Sequence, residues 1–223
     1  MKRKPLFIAI AIFVVISLST SCSNEPIATN TVKDIDGNEY HTVTIGTQTW
    51  MVENLKTIHY NDGTRIPNVT DNVAWVVLST PAYCWYNNDA TTYKNTYGAM
   101  YNWYAVNTGK LAPVGWHVAT DAEWTTLTTF LGGESVAGGD LKETGTGNWS
   151  IPNIGATNSS GFTALPGGDR YDNGGAFDDI GYGGYWWSSG VTAYAWAMVY
   201  NTSNVNRGSI GPSHGFSVRC VKD

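Results

Sequence analysis

Positive charge is scarce in this chain: Lys and Arg number thirteen against eighteen Asp and Glu, and charged residues of both signs make up only 14% of the whole. A nucleic-acid partner needs a basic footprint that displaces counterions from phosphates, so this balance excludes one. Cysteine is nearly missing, with three residues in all. The four histidines, His41, His59, His117 and His214, show no His-x-His or His-x-x-x-His spacing, so zinc ligation has no local frame. No Gly-x-Ser-x-Gly elbow, phosphate-binding loop or dinucleotide fingerprint occurs, and the residues therefore predict a protein that is not an enzyme. No internal repeat is evident.

The apolar residues that the chain does concentrate sit at its start. Lys2, Arg3 and Lys4 precede a thirteen-residue run from Leu6 to Leu18, which ends in Ser19, Thr20 and Ser21 before Cys22. A positive start, an apolar core of this length and small residues at the cut predict a secretory signal peptide over 1–21; the core is too short for a membrane span. Leu18-Ser19-Thr20-Ser21-Cys22 resembles a bacterial lipobox, which implies that Cys22 carries a diacylglycerol thioether and becomes the first mature residue, with palmitate among its acyl chains. Residues 22–32 then read as lipidated Cys and polar tether. Removing 1–21 strips three cations and no carboxylate, leaving a formal charge of −8, which argues against docking on anionic lipid.

Ten Trp, thirteen Tyr and twenty-five Gly are the other excess. Such aromatic density excludes disorder and favours short strands and loops whose large side chains fill irregular spaces. The mature length suits one domain, assigned to 33–223. Cys84 and Cys220 remain as the mature thiols; an even pair in an oxidising compartment suggests a disulfide, the alternative being two buried free thiols.

Asp36-Gly37-Asn38 is a turn signal. The alternating Glu39–Ile45 stretch, with His41, Val43 and Ile45 on one face, pairs in expectation with Thr47–Leu55 as an opening hairpin. Tyr97, Met100, Tyr101 and Tyr104 fall at i, i+3, i+4 and i+7 of a helix ending at Gly109. Thr120-Asp121-Ala122-Glu123 is a capping box for a second helix, with Trp124, Leu127 and Leu131 on one face and Gly132-Gly133 at its end; this makes Glu123 structural rather than catalytic. Some fifty residues rich in Gly, Asn, Ser and Asp follow, a length that is uncommon unless the loop is functional or packed by its own side chains. Strands return at Tyr185, at Tyr194–Tyr200 and at Phe216–Val221, where Phe216, Val218 and Cys220 share a face.

Two candidate surfaces emerge from the irregular region. Asp169, Asp172, Asp178 and Asp179 among glycines could wrap calcium, which takes six to eight oxygens, although the spacing is not that of an EF-hand and Asp in such turns also bonds its own backbone. Calcium is the one cofactor considered. Trp149, Tyr171, Tyr182, Tyr185 and Trp186, with Asn148, Asn153, Asn158, Asn173 and Arg170, could form a sugar site of flat rings and amides. Their alternative role is to bury the loop's underside and cap its turns. The ligand-binding candidates are Trp149, Asp169, Arg170, Tyr171, Asp172, Tyr185 and Trp186.

In this order and spacing, IGTQTWMVENLK, YCWYNND, YGAMYNWYAV, GWHVATDAEWTTL, LKETGTGNW, NSSGFTALPGGDR, WWSS and GFSVRCVKD closely resemble the Fibrobacter succinogenes major paralogous domain, from about Val32 to Asp223. The resemblance implies an envelope-associated or secreted bacterial protein, often a lipoprotein, with no established biochemical activity. GWHVATDAEWTTL is also similar to the helix-opening segment of the formylglycine-generating sulfatase-modifying family. That likeness implies an α+β, C-type-lectin-like fold: small antiparallel sheets in which the terminal strands pair, two helices, and a long irregular loop region bearing the binding surface. The active-site cysteine pair of that family has no counterpart around Cys84 or Cys220, so its catalysis does not carry over.

Together these readings predict a lipoprotein of the bacterial cell envelope, lipid-anchored to a membrane and periplasmic or surface-exposed. Its domain binds a glycan or an envelope protein without chemistry. The alternative is a structural or assembly module with no small-molecule ligand.

Overall fold

The computed structural model describes Met1 and residues 30–223; the remainder of the signal segment, Cys22 and the tether through Thr29 lie outside the described residues. No helix among the described residues is long and apolar enough to cross a membrane. The first described strand, β1 (Thr31–Lys33), pairs with β2 (Glu39–Ile45). Asp34 makes the turn between them: its carboxylate accepts from the Asn38 amide at 2.9 Å and the Tyr40 hydroxyl at 2.6 Å. β3 (Gln48–Met51) completes the predicted hairpin across Gly46, whose φ of 60° suits a residue without Cβ. Tyr40 and Ile45 are the buried residues of β2, whereas His41 is exposed, with Nδ1 2.6 Å from Glu53 rather than on a core face.

The middle of the chain departs from expectation. After α1 (Asn72–Val76) and β4 (Tyr83–Cys84), α2 covers Ala90–Tyr97, then β5 (Met100–Tyr101) and α3 (Trp103–Val106) replace the helix foreseen from Tyr97 to Gly109. Asp89 caps α2 early by accepting from Thr91 and Thr92 N–H. Gly98 ends it at φ 76°, so close to the Leu55 carbonyl that a side chain there would meet it at 2.7 Å. Tyr101 then exchanges backbone bonds with Phe216, and Asn102 caps α3 through Ala105 N–H.

β6 (Trp116–Val118) leads into α4 (Asp121–Phe130), where the predicted capping box is complete. Thr120 Oγ1 accepts from Glu123 N–H, and Glu123 Oε2 accepts from Thr120 N–H at 2.7 Å. Glu123 does a second job by holding His117 Nε2 at 2.7 Å. Thr120→Ala is expected to lower stability by about 1 kcal/mol, read by urea denaturation, because one helix-terminal amide loses its acceptor. Trp124 and Leu127 are buried beneath this helix.

The irregular region contains α5 (Ala137–Leu141), and β7 (Gly167–Arg170) and β8 (Phe177–Ile180) follow before β9 (Gly183–Trp187), β10 (Tyr194–Val199), β11 (Val205–Ser209) and β12 (Cys220–Lys222). One sheet runs β1-β2-β3-β12-β6, so β12 near the C-terminus lies beside β3. A second runs β11-β10-β9-β7-β8, and β4 and β5 form a small third. Among the described residues these strands pair antiparallel except β7 with β9, which makes the fold α+β. Between the sheets, Trp124 stacks on Trp196 at 5.8 Å and meets Trp50 edge-on at 5.1 Å, burying large apolar areas. Phe216, Val218 and Cys220 enter a second cluster with Tyr101 and Trp187.

Cys84 and Cys220 are both free and fully buried, in different clusters of the core, so the disulfide considered above is not formed. Burial pushes the Cys84 thiol up to about 12 and raises that of Cys220 as well.

Candidate functional site

The second sheet carries a cleft of ≈ 370 Å³. Strand alternation builds its base: in Tyr194–Val199 the large Trp196 and Met198 point into the core, leaving Ala195 and Ala197 on the cleft side. Asp169 comes from β7, Asp179 from β8, Tyr185 from β9, and Asn206 and Arg207 from β11; Tyr171, Ile210, His214 and Phe216 complete the lining.

The rings form a continuous wall. Tyr185 and His214 each stack on Phe216, at 5.4 Å and 5.3 Å between centroids, and Tyr171 meets His214 edge-on at 6.0 Å. Tyr185 donates its hydroxyl hydrogen to Asp179 Oδ2 at 2.5 Å, which fixes that ring. Arg207 is held at the side, with its guanidinium 2.7 Å from Asp121 Oδ2 and over the faces of Tyr194 and Trp196.

Asp169 is the anomaly of the site. It is 5% exposed, and its Oδ1 is buried without a hydrogen-bond partner. Burial first, then the neighbouring charges of Asp179 and Asp178, pushes its carboxyl up to about 7. Backbone strain accompanies it: Asp179 sits at φ 59°, and the Gly168 opposite sits at φ 66°, where a side chain would collide with the Asp178 carbonyl and Ile180 amide.

Four sequence candidates thus come together: Asp169, Tyr171, Asp179 and Tyr185. The other ligand-binding candidates do not. Trp149 is buried, its indole donating to the Ala164 carbonyl at 2.9 Å, and Trp186 is buried, donating to Asn54 Oδ1 at 2.8 Å. Arg170 is turned to the opposite side of β7. Its guanidinium donates to the Gly175, Val69 and Thr70 carbonyls and to Asn72, and lies 4.3 Å above the Trp75 ring. These three pack the underside of the loop, while Asn148, Asn153 and Asn158 spend their amides on Glu143, Gly145 and Thr163.

The four carboxylates considered for calcium do not form one cage. Asp172 turns to His214, its Oδ2 3.1 Å from Nδ1 but out of line for a hydrogen bond, while Asp178 accepts from the Asp179 amide. Among the described residues no group of three or more His, Cys, Asp or Glu is placed to hold a metal ion. Sequence reasoning missed Asn206, Arg207, Ile210, His214 and Phe216. The small–large alternation of Ala195, Trp196, Ala197 and Met198 was the available signal for a recessed surface there.

A mixed α+β domain with an aromatic, acid-lined cleft on one sheet is the class that this geometry defines. Its family is shown directly: the Fibrobacter succinogenes major domain matches residues 43–222, and the chain belongs to that family. No curated protein and no solved structure matches the chain.

Proposed function

We propose that the protein is a lipid-anchored bacterial envelope protein whose C-type-lectin-like domain binds a glycan in the second-sheet cleft without transforming it. The buried carboxyl of Asp169, its Oδ1 without a partner, beside a wall of stacked rings carries this reading. An acceptor deprived of water is costly unless a donor arrives, and flat rings offer faces to the C–H patches of a sugar. The lectin-like assignment is supported by the pairing of β3 with β12, by α4 packed on that sheet through Trp124 and Trp50, and by a cleft lined by the C-terminal segments.

On a glycan array the full chain is expected to retain a restricted set of sugars, and Tyr185→Ala, which removes half of a stacked pair, to lose them by tenfold or more. A blank array would favour an assembly module instead. The anchor rests on Lys2–Lys4, the apolar run and Cys22. Stable anchoring needs more than one acyl chain, so Cys22→Ser is expected to abolish palmitate labelling and release the chain from membranes. Labelling that persists in the variant would refute the anchor.

A further inference from the structure

We infer that the ligand of this cleft is an amino sugar with a free ammonium group, bound through an ion pair to Asp169 with its ring against Tyr185. This inference rests on the cleft being a glycan site and names what distinguishes that glycan.

The first ground is the charge that the cleft leaves unanswered. Asp169 Oδ1 is buried with no donor, and Asp178 and Asp179 from β8 add negative charge around it. The nearby arginines are already engaged. Arg207 is paired with Asp121, and Arg170, next in β7, is spent on carbonyls of the opposite side. His214 lies against Asp172. The remaining titratable groups around Asp169 are phenols: Tyr185 from β9, Tyr171 after β7, and Tyr86 in the turn Tyr86–Asn88. A neutral hydroxyl brings one donor and leaves the like charges of the carboxylates in place. An ammonium brings three donors and the opposite charge, and the rings of Tyr171 and Tyr185 attract it further.

The second ground is the remainder of the lining. Asn206 supplies a donor and an acceptor suited to ring hydroxyls, and the phenolic oxygens of Tyr171 and Tyr185, whose hydrogens go to Asp178 and Asp179, supply further acceptors. The bare methylene stem of a lysine side chain has nothing to offer them. The volume of ≈ 370 Å³ accommodates a sugar-sized ligand in the usual range of small-molecule sites.

The test is calorimetric titration of the full chain in detergent with three probes that differ at one carbon: methyl glucosaminide, methyl N-acetylglucosaminide and methyl glucoside. The glucosaminide is expected to bind at least tenfold more tightly than the others. Its affinity is expected to rise about twentyfold between pH 5 and 6.5, where its ammonium stays charged, because Asp169 gains charge nearly tenfold per pH unit below its midpoint. Asp169→Asn should erase both the preference and the slope while leaving the fold intact by near-ultraviolet circular dichroism. Tighter binding of the acetylated or neutral sugar would overturn the amino-sugar inference and leave the glycan site standing. Binding of none of the three, or preference for a lysine peptide over the glucosaminide, would overturn the inference together with the glycan reading.

Discussion

Arg219→Met is expected to destabilise the domain by about 3–5 kcal/mol, the largest effect of any single substitution considered, read from urea unfolding of the full chain. Arg219 is fully buried just before β12. Its guanidinium donates to the Met51, Phe162 and Thr163 carbonyls at 2.8–3.0 Å and to Asn54 Oδ1 at 2.7 Å, above the face of Phe162 at 4.4 Å. It therefore ties the first sheet to the chain entering β7. Methionine would fill much of the volume but take the guanidinium donor from the three carbonyls, leaving Asn54 Oδ1 with only the Trp186 indole, and each stranded acceptor costs about 1–3 kcal/mol. Burial pulls the Arg219 pKa down to about 9, so the group remains cationic at neutral pH. Lysine at this position should recover only part of the loss, since one ammonium lacks the planar fork that reaches all four acceptors. A variant within 1 kcal/mol of the parent would show that water or a shifted loop replaces the guanidinium.

Asp169→Asn should act in the opposite direction and stabilise the protein near pH 7.5 by roughly 2 kcal/mol, after allowance for solvent screening. The sign follows from the direction of the shift. The folded carboxyl sits at about 7 against an ordinary value of 3.8, so between those values the folded state holds a proton that the unfolded chain has lost. Asp169 therefore removes stability as pH climbs from about 4 to about 7, and asparagine, which cannot ionise, does not. Unfolding measured at pH 4 should show the variants nearly equal, with the gap opening by pH 7.5. A gap that is constant with pH would mean that the carboxyl finds a donor in solution. A side chain that weakens the fold in this way is what a binding site retains when function and stability compete.

Short-range features of this fold were legible in the chain. The capping box needs only Thr120 and Glu123, and the opening hairpin needs only alternation and Gly46, so local chemistry settles both. The Tyr97–Tyr104 pattern fitted a helix but was overruled from a distance: Gly98 fits against Leu55, and the Tyr101 amide is claimed by the Phe216 carbonyl. The cleft was half legible. Asp169, Tyr171, Asp179 and Tyr185 are close in sequence and stand out by type, whereas Arg207, His214 and Phe216 arrive through strand pairings that no local pattern encodes. Trp149 and Trp186 were misplaced for a related reason. An indole reads the same exposed or buried until its N–H partner is known, and for Trp186 that partner, Asn54, is 132 residues away.

The two buried cysteines bear on how this protein matures. With both thiols free, fully enclosed and pushed towards the protonated form, the domain draws nothing from their oxidation, and its folding requires no disulfide formation or shuffling between them. Reducing agents should leave the native state untouched, and a thiol reagent should label Cys84 and Cys220 only as fast as the core opens. The domain can therefore reach its native state in a reducing compartment or an oxidising one, because no bond between Cys84 and Cys220 has to form.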